Sequence, residues 1–138
     1  MTELAQQIID KEKTERTGYL DLGRCGLTEL PDLSDLDWLE TLIVSDGFWD
    51  WEKGKWIESQ NKGTPCQLTF LNAAHLPLGL TRLILHKNQI SDGGFLEKLT
   101  NLSTLYLGSN QISDGGFLKK LTNLKTLDLR DNQISDGG

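Results

Sequence analysis

The sequence predicts an α/β solenoid, in which short parallel strands form a curved sheet and short helical or 3-10 segments form the convex back. The main observation is a repeat: the string NQISDGG begins at Asn88, Asn110 and Asn132, that is, every 22 residues. A fixed period of this length is typical of solenoids. Leucines recur as LxxLxL ahead of each of these asparagines. Such coils bury their leucines only by stacking on their neighbours.

The first element, residues 1–16, is predicted to be an N-terminal capping helix. Thr2 stands where a helix N-cap is expected. The apolar residues that follow lie on one helical stripe and are Leu4, Ala5, Ile8 and Ile9. A cap is needed because the first coil of a solenoid would otherwise expose its apolar end.

Two degenerate repeats are predicted at residues 17–47, the second with Gly47 in the asparagine position and Trp49 in the isoleucine position. Residues 48–79 lose the period and carry a Trp-rich run. We interpret them as an insertion followed by a degenerate, compressed repeat with Leu68, Phe70 and Leu76. Residues 80–138 hold the regular 22-residue repeats, of which the last is incomplete.

The residue types also predict how each coil is built. In LxxLxL the leucines point inward and the residue between them points outward, as in a strand. The asparagine that follows can satisfy buried backbone groups at the bend, which predicts an asparagine ladder. Cys25 takes the ladder position in the first repeat, and Asp92 and Asp114 are placed to cap the convex segments.

The repeats at residues 80–138, written LTNLxxLxLxxNQISD, resemble the 22-residue leucine-rich repeats of bacterial internalins. Internalin repeats usually continue with SDI and proline, whereas Gly93, Gly94 and Phe95 stand here, so we expect different packing on the convex side. The N-terminal run TGYLDLGRCGLTELPDL is similar to cytoplasmic bacterial leucine-rich proteins, including the repeat regions that precede GTPase modules in the Roco family. Both resemblances imply a protein-binding surface.

Composition narrows the classes of function. The net charge of -6 and the pI near 4.8 argue against nucleic acid, because phosphate binding needs a basic surface. No 18-residue apolar run and no signal-peptide pattern occur, so we expect neither a membrane span nor export. Two cysteines are too few for a disulfide framework and lack companion zinc ligands. We therefore expect a cytoplasmic protein without metal or cofactor that binds a protein or peptide.

The outward residues of the strands predict a binding face on the concave sheet. An apolar and aromatic centre at Ile84 and Tyr106 with a charged rim has the composition of an interface. The alternative is ordinary strand propensity. The full set of predicted contact residues is Asp21, Ile43, Arg82, Ile84, His86, Tyr106, Asp128 and Arg130.

The Trp-rich insertion is a second candidate, because loops inserted into a scaffold often carry recognition. Trp51 and Trp56 are the residues that we expect to be exposed. The alternative is that Phe48 and Trp49 fill the gap left by a lost repeat while the rest covers their edges.

Catalysis within these residues is not expected. Cys66 and His75 are the only nucleophile and base pair worth considering, and neither an orienting carboxylate nor an oxyanion motif accompanies them. We therefore expect a non-enzymatic module that binds a partner on its concave sheet. The alternative is the N-terminal recognition region of a larger enzyme such as a Roco-type GTPase, although no GxxxxGK[ST] loop occurs here. The open edge at the last strand predicts either further chain beyond residue 138 or docking of a partner or a second copy there.

Overall fold

The computed structural model describes residues 2–134; Met1 and residues 135–138, the end of the last repeat, lie outside the described residues. The predicted solenoid is confirmed. Its elements, in chain order, are helix α1 (Glu3–Glu15), strands β1 (Tyr19–Asp21), β2 (Thr41–Ile43), β3 (Gly47–Asp50) and β4 (Lys55–Glu58), a 3-10 helix (Ala73–His75), β5 (Arg82–Ile84), a 3-10 helix (Gly94–Lys98), β6 (Thr104–Tyr106), a 3-10 helix (Gly116–Lys120) and β7 (Thr126–Asp128).

Two sheets result from these strands. A parallel five-stranded sheet has the order β1-β2-β5-β6-β7, and β3 and β4 form a separate antiparallel hairpin. In the parallel sheet the middle leucines share one register row: Leu20, Leu42, Leu83, Leu105 and Leu127. The first four are buried, whereas Leu127, on the edge strand β7, is 42% exposed. The buried row is therefore the core of the described solenoid.

The N-terminal helix caps this core as predicted. Thr2 Oγ1 accepts a hydrogen bond from the Ala5 amide at 3.2 Å, and the buried side chains of Ala5 and Ile9 cover the first coil. The Glu12 carboxylate is buried at the helix end and accepts hydrogen bonds from the Trp38 indole, at 2.8 Å, and from Thr17. These bonds fix the turn into β1, so the cap is joined to the sheet by polar as well as apolar contacts.

The asparagine ladder forms between consecutive coils. Asn110 Oδ1 accepts from the Ile90 amide at 3.1 Å. Its Nδ2 donates to the carbonyls of Leu85 in the preceding coil and Leu107 in its own, at 3.0 and 2.9 Å. Asn88 and Asn132 repeat the pattern. Each amide thus satisfies buried backbone groups of two coils at once.

The second repeat is longer than the sequence analysis assumed. β2 pairs directly with β5, so the residues of the expected compressed repeat, at Leu68, Phe70 and Leu76, form no strand of their own. Leu80 follows Leu39 by 41 positions instead of 22, which leaves 19 additional residues inside one repeat. Repeat two therefore contains the hairpin and closes only near residue 79.

Cys66 takes the ladder position of this long repeat. Its thiol accepts from the Leu27 amide and donates to the Leu22 carbonyl, both at 3.4 Å. These bonds correspond to those that Asn110, two coils further on, makes with the Ile90 amide and the Leu85 carbonyl. Leu68 then occupies the buried isoleucine position, and its amide donates to Asn88. Gly47 and Trp49, predicted at the asparagine and isoleucine positions of this repeat, lie in strand β3 of the hairpin instead. The ladder thus resumes after the insertion.

The convex 3-10 helices explain the departure from the internalin pattern. Asp92 and Asp114 accept from the amides of Gly94 and Gly116, each at 2.8 Å, at the start of these helices. A Cβ added at Gly93 would lie 2.5 Å from the ring of Phe117 in the next coil. A glycine is therefore required at this position so that the aromatic ring can pack against the backbone.

We expect Asn110→Ala to lower the free energy of unfolding by about 3 kcal/mol, because it leaves one buried amide and two buried carbonyls without their partner. Urea unfolding would measure this loss. The control is Asn101→Ala, at an exposed asparagine, which should change stability by less than about 0.5 kcal/mol. Equal shifts for both variants would show that the ladder does not stabilise the stack.

Candidate functional site

The hairpin lies over the concave side of the parallel sheet. Phe48 is paired with Ile57, and Trp49 with Trp56. Because neighbouring residues of a strand point to opposite faces, one face carries Phe48 and Ile57 toward the sheet. The other face carries the two tryptophans toward solvent. The insertion therefore folds as an amphipathic ribbon.

The inner face of the hairpin buries the centre of the predicted binding site. Ile43, Phe48, Ile84 and Tyr106 form one buried cluster, with Ile57 packed against it. The rings of Phe48 and Tyr106 are 5.5 Å apart between centroids. Ile43, Ile84 and Tyr106 do lie on the concave side, but each is at most 3% exposed. The expectation of a solvent-exposed centre is therefore wrong, because the chain covers this surface itself.

The tip of the hairpin is held by polar contacts to later repeats. The Trp51 amide donates to Tyr106 Oη, and its indole Nε1 donates to Asp128 Oδ2, both at 3.1 Å. Thr104 Oγ1 donates to Glu52 at 2.9 Å. The Arg82 guanidinium lies 3.6 Å from Asp50 and 3.7 Å from Glu52. Arg82 and Asp128, predicted to contact a partner, therefore hold the hairpin.

The base of the hairpin is tied to the first repeat. Ser59 Oγ donates to the Asp21 carboxylate at 3.0 Å. Asn61 Nδ2 donates to the carbonyls of Asp21 and Gly23, at 2.9 and 2.8 Å. Asp21, another predicted contact residue, thus orients the chain that leaves the hairpin.

Three tryptophans remain exposed on the outer side, which we call the tryptophan face: Trp49, Trp51 and Trp56, at 37%, 51% and 51%. The rings of Trp49 and Trp51 meet nearly edge to face at 6.1 Å. The Arg130 guanidinium lies 5.0 Å from the Trp51 ring, and the His86 ring is 6.4 Å from Trp56. Two predicted rim residues, His86 and Arg130, thus border this face.

Trp56 also covers Gly47, the first residue of β3. A Cβ at Gly47 would lie 2.7 Å from the Trp56 ring, which therefore rests on the Gly47 backbone. This placement shields an edge glycine with an aromatic ring. Trp49 is exposed although only Trp51 and Trp56 were expected to be, and the alternation of buried and exposed residues along β3 is the signal that could have identified it.

Burial and hydrogen bonding shift the pKa values of two groups near the tryptophan face. Burial raises the pKa of Asp128, but hydrogen bonds from Trp51 and Arg130 outweigh it, and the net shift is downward. Burial lowers the pKa of His86, against the opposing charge of Asp128. Asp128 is thus held as the carboxylate that receives the Trp51 indole.

The thiols show no features of a nucleophile. Burial raises the pKa of Cys25 to about 12 and also raises the pKa of Cys66, whereas reactive cysteines have lowered values. His75 Nδ1 faces the Leu30 carbonyl at 3.3 Å, and Cys66 is engaged in the ladder. These residues have structural contacts and no shared site.

Within residues 2–134, no three or more His, Cys, Asp or Glu side chains are grouped to hold a metal ion. No helix in the same range is long and apolar enough to cross a membrane.

Comparisons with known proteins agree with this architecture. The family model described as Leucine Rich repeats (2 copies) matches residues 79–114 and residues 100–136. No curated protein matches the chain. The crystal structure of internalin C2 (inlC2) from Listeria monocytogenes str. 4b F2365 is similar, with 31% identity and a TM-score of 0.65 over 86% of this chain. The chain covers 44% of that structure, less than half its length.

A second internalin structure, inlF from Listeria monocytogenes str. 4b F2365, aligns more loosely. The identity is 24% and the TM-score 0.49, over 78% of this chain and 33% of that one. The family model places leucine-rich repeats at residues 79–136, and the similarity to internalin C2 supports a leucine-rich-repeat solenoid like that of the internalins. Leucine-rich-repeat domains generally serve as protein-interaction modules.

The depressed pKa of Asp128 predicts a pH dependence of stability. A lowered folded-state pKa stabilises the fold above the unfolded pKa of about 3.9, and this contribution is lost as the pH falls through the folded value. We expect Asp128→Asn to be less stable than the native chain at pH 7, with the difference shrinking below about pH 4.

Urea unfolding between pH 3 and pH 7 would test this, with Asp131→Asn at a neighbouring exposed carboxylate as the control. A difference between the native chain and Asp128→Asn that stays constant over this range would contradict the prediction.

Proposed function

We propose that this chain is a non-enzymatic interaction module that binds a protein partner on its concave side, through the tryptophan face. One observation carries the proposal: three indoles are exposed together on a hairpin whose opposite face is buried. Exposed apolar patches bordered by polar groups mark interaction sites. Tryptophan is also among the residues that contribute most at interfaces.

The anchoring of the hairpin supports this role. Its inner face is fixed by Phe48 and its tip by Trp51 and Glu52, so the indoles are held in place before a partner arrives. Such preorganisation reduces the entropy lost on binding. His86 and Arg130 supply a polar rim, as is common around an apolar interface centre.

The charge of the chain suggests the kind of partner. A net charge of -6 favours encounter with a basic protein surface or peptide. Exposed indole faces also attract arginine and lysine side chains, and Arg130 already stacks on Trp51 in this way. We therefore propose a partner segment that combines basic and apolar side chains.

The location differs from the one that the sequence analysis proposed. The partner would contact the outer face of the hairpin and its rim, instead of the strand residues beneath. The alternative, a recognition region of a larger Roco-type GTPase, gains no support from the family match or the structural similarities and stays a prediction. Docking at the edge strand β7 likewise stays a prediction.

The proposal is tested with peptides selected from a random library on the intact chain. We expect selected peptides to lose at least about tenfold in affinity for the double variant Trp49→Ala and Trp56→Ala, since interface tryptophans contribute roughly 2 kcal/mol or more. Trp51 is kept because it anchors the hairpin to Asp128. Fluorescence polarisation of the labelled peptides would give the affinities.

The matched control is Phe70→Ala, which removes another exposed aromatic ring, 58% exposed, outside the hairpin. It should leave peptide affinity unchanged. Peptides that bind the double variant as well as the native chain would refute the tryptophan face as the binding site. A library that yields no binder would count against the proposal as well.

A further inference from the structure

The apolar surface beneath the hairpin is separate from the leucine core. Ile43, Ile84 and Tyr106 cluster with Phe48 of the hairpin, and none of them belongs to the cluster that fills the solenoid. The strand leucines on the other side of the sheet are buried without help from the hairpin. The hairpin residues therefore take no part in the leucine core itself.

The hairpin is attached to the parallel sheet through side chains of that sheet. In the part of the chain that the structure describes, no backbone hydrogen bond joins β3 or β4 to a strand of the parallel sheet. The tip is held through the side chains of Tyr106, Asp128, Thr104 and Arg82. The base is tied separately, at Ser59 and beyond, and can act as a pivot.

The apolar contacts that hold the hairpin on the sheet are few. Two-stranded hairpins are marginal by themselves in water. The inner face contributes one fully buried large side chain, Phe48, and a partly buried one, Ile57. The Arg82–Glu52 pair is half exposed on the Glu52 side, and such pairs contribute little, whereas the Asp50 carboxylate of the Arg82–Asp50 pair is buried. Segments with few buried contacts open more readily than core elements do.

We propose that the surface formed by Ile43, Ile84, Tyr106 and Arg82 is a second binding surface, which opens when the hairpin lifts. Its occupant is a partner segment in extended conformation with an aromatic side chain followed two residues later by a carboxylate. The hairpin competes with this segment for the same surface and keeps it covered in the free protein.

The hairpin itself shows why this chemistry fits. Phe48 and Asp50 lie on the same face of β3, because they are two residues apart in a strand. The Phe48 ring packs on Tyr106, while the Asp50 carboxylate, which is buried, lies 3.6 Å from the Arg82 guanidinium. A partner segment with the same two side chains at the same spacing would make both contacts.

The column of strand residues supports the same reading. Its two end positions are acidic, at Asp21 and Asp128, while the three central ones are Ile43, Ile84 and Tyr106. Polar residues would serve as well on a surface that always faced water. The apolar centre thus matches a surface that is always covered, by the hairpin or by a partner segment in its place.

Hydrogen exchange of the intact chain tests whether the hairpin lifts. We expect the hydrogen-bonded amides of β3 and β4 to exchange at least about 100-fold faster than those of β5 and β6, because opening the hairpin does not require the core to unfold. Equal protection of the two sheets would overturn the proposal. This measurement uses the native chain and does not depend on any variant folding.

Peptide binding tests what the surface accepts. The probe is a labelled peptide with the sequence of residues 45–52, SDGFWDWE. The variant Phe48→Ala, which weakens the hairpin, should bind it at least about tenfold more tightly than the native chain does, because apparent affinity rises with the open fraction. The control peptide SDGAWNWE lacks the aromatic ring and the carboxylate and should show no such gain.

Adding Arg82→Gln to Phe48→Ala should reduce the affinity for SDGFWDWE again. Equal binding by the native and Phe48→Ala chains, or equal binding of the two peptides, would overturn the proposal. Circular dichroism and urea unfolding of Phe48→Ala would verify that the solenoid is intact. Trp49 and Trp56, altered in the test of the tryptophan face, do not belong to the covered cluster, so either proposal can fail without the other.

Discussion

The hydrogen-bonding side chain at the bend of each coil is the constraint on which the stack depends. Every coil turns away from its strand through buried backbone, and those amides and carbonyls need partners that water cannot supply. In three coils an asparagine meets the need by accepting from the preceding coil and donating to a carbonyl of that coil and to one of its own, as Asn110 does. The coils are therefore linked in fixed register, and their leucines stack as a consequence.

This constraint also explains how a repeat can hold a 19-residue insertion. The ladder requires only that a suitable side chain arrive at the bend, and Cys66 does so with a thiol that both accepts and donates. The ladder therefore does not constrain the conformation of the inserted residues that precede Cys66. The inserted hairpin can thus present an inner face matched to the apolar strand residues and an outer face with a different role. Because its residues alternate between the two faces, one face packs on the sheet and the other is exposed to solvent.

Features that depend on the 22-residue period or on local sequence could be predicted from the sequence. Repeated spacing identified the strands, the ladder at Asn110 and the capping helix, because those features are local or recur. Burial of Ile84 and Tyr106 could not be predicted in this way, since it depends on which direction a non-repeating segment folds. Cys66 was within reach: it stands 22 residues before Asn88, and Leu68 stands 22 before Ile90. The 22-residue period thus resumes after the insertion, at Cys66, although no strand accompanies it there.

Trp51 takes part in both faces of the hairpin. It therefore determines whether binding at one face favours or opposes binding at the other. Its ring belongs to the tryptophan face, while its indole and amide hold the tip on Asp128 and Tyr106. A partner that binds the tryptophan face of the docked hairpin stabilises docking by mass action. A segment that binds beneath the hairpin favours the lifted state. On both proposals the two partners must therefore weaken each other's binding by the same factor, because coupling between two sites is reciprocal.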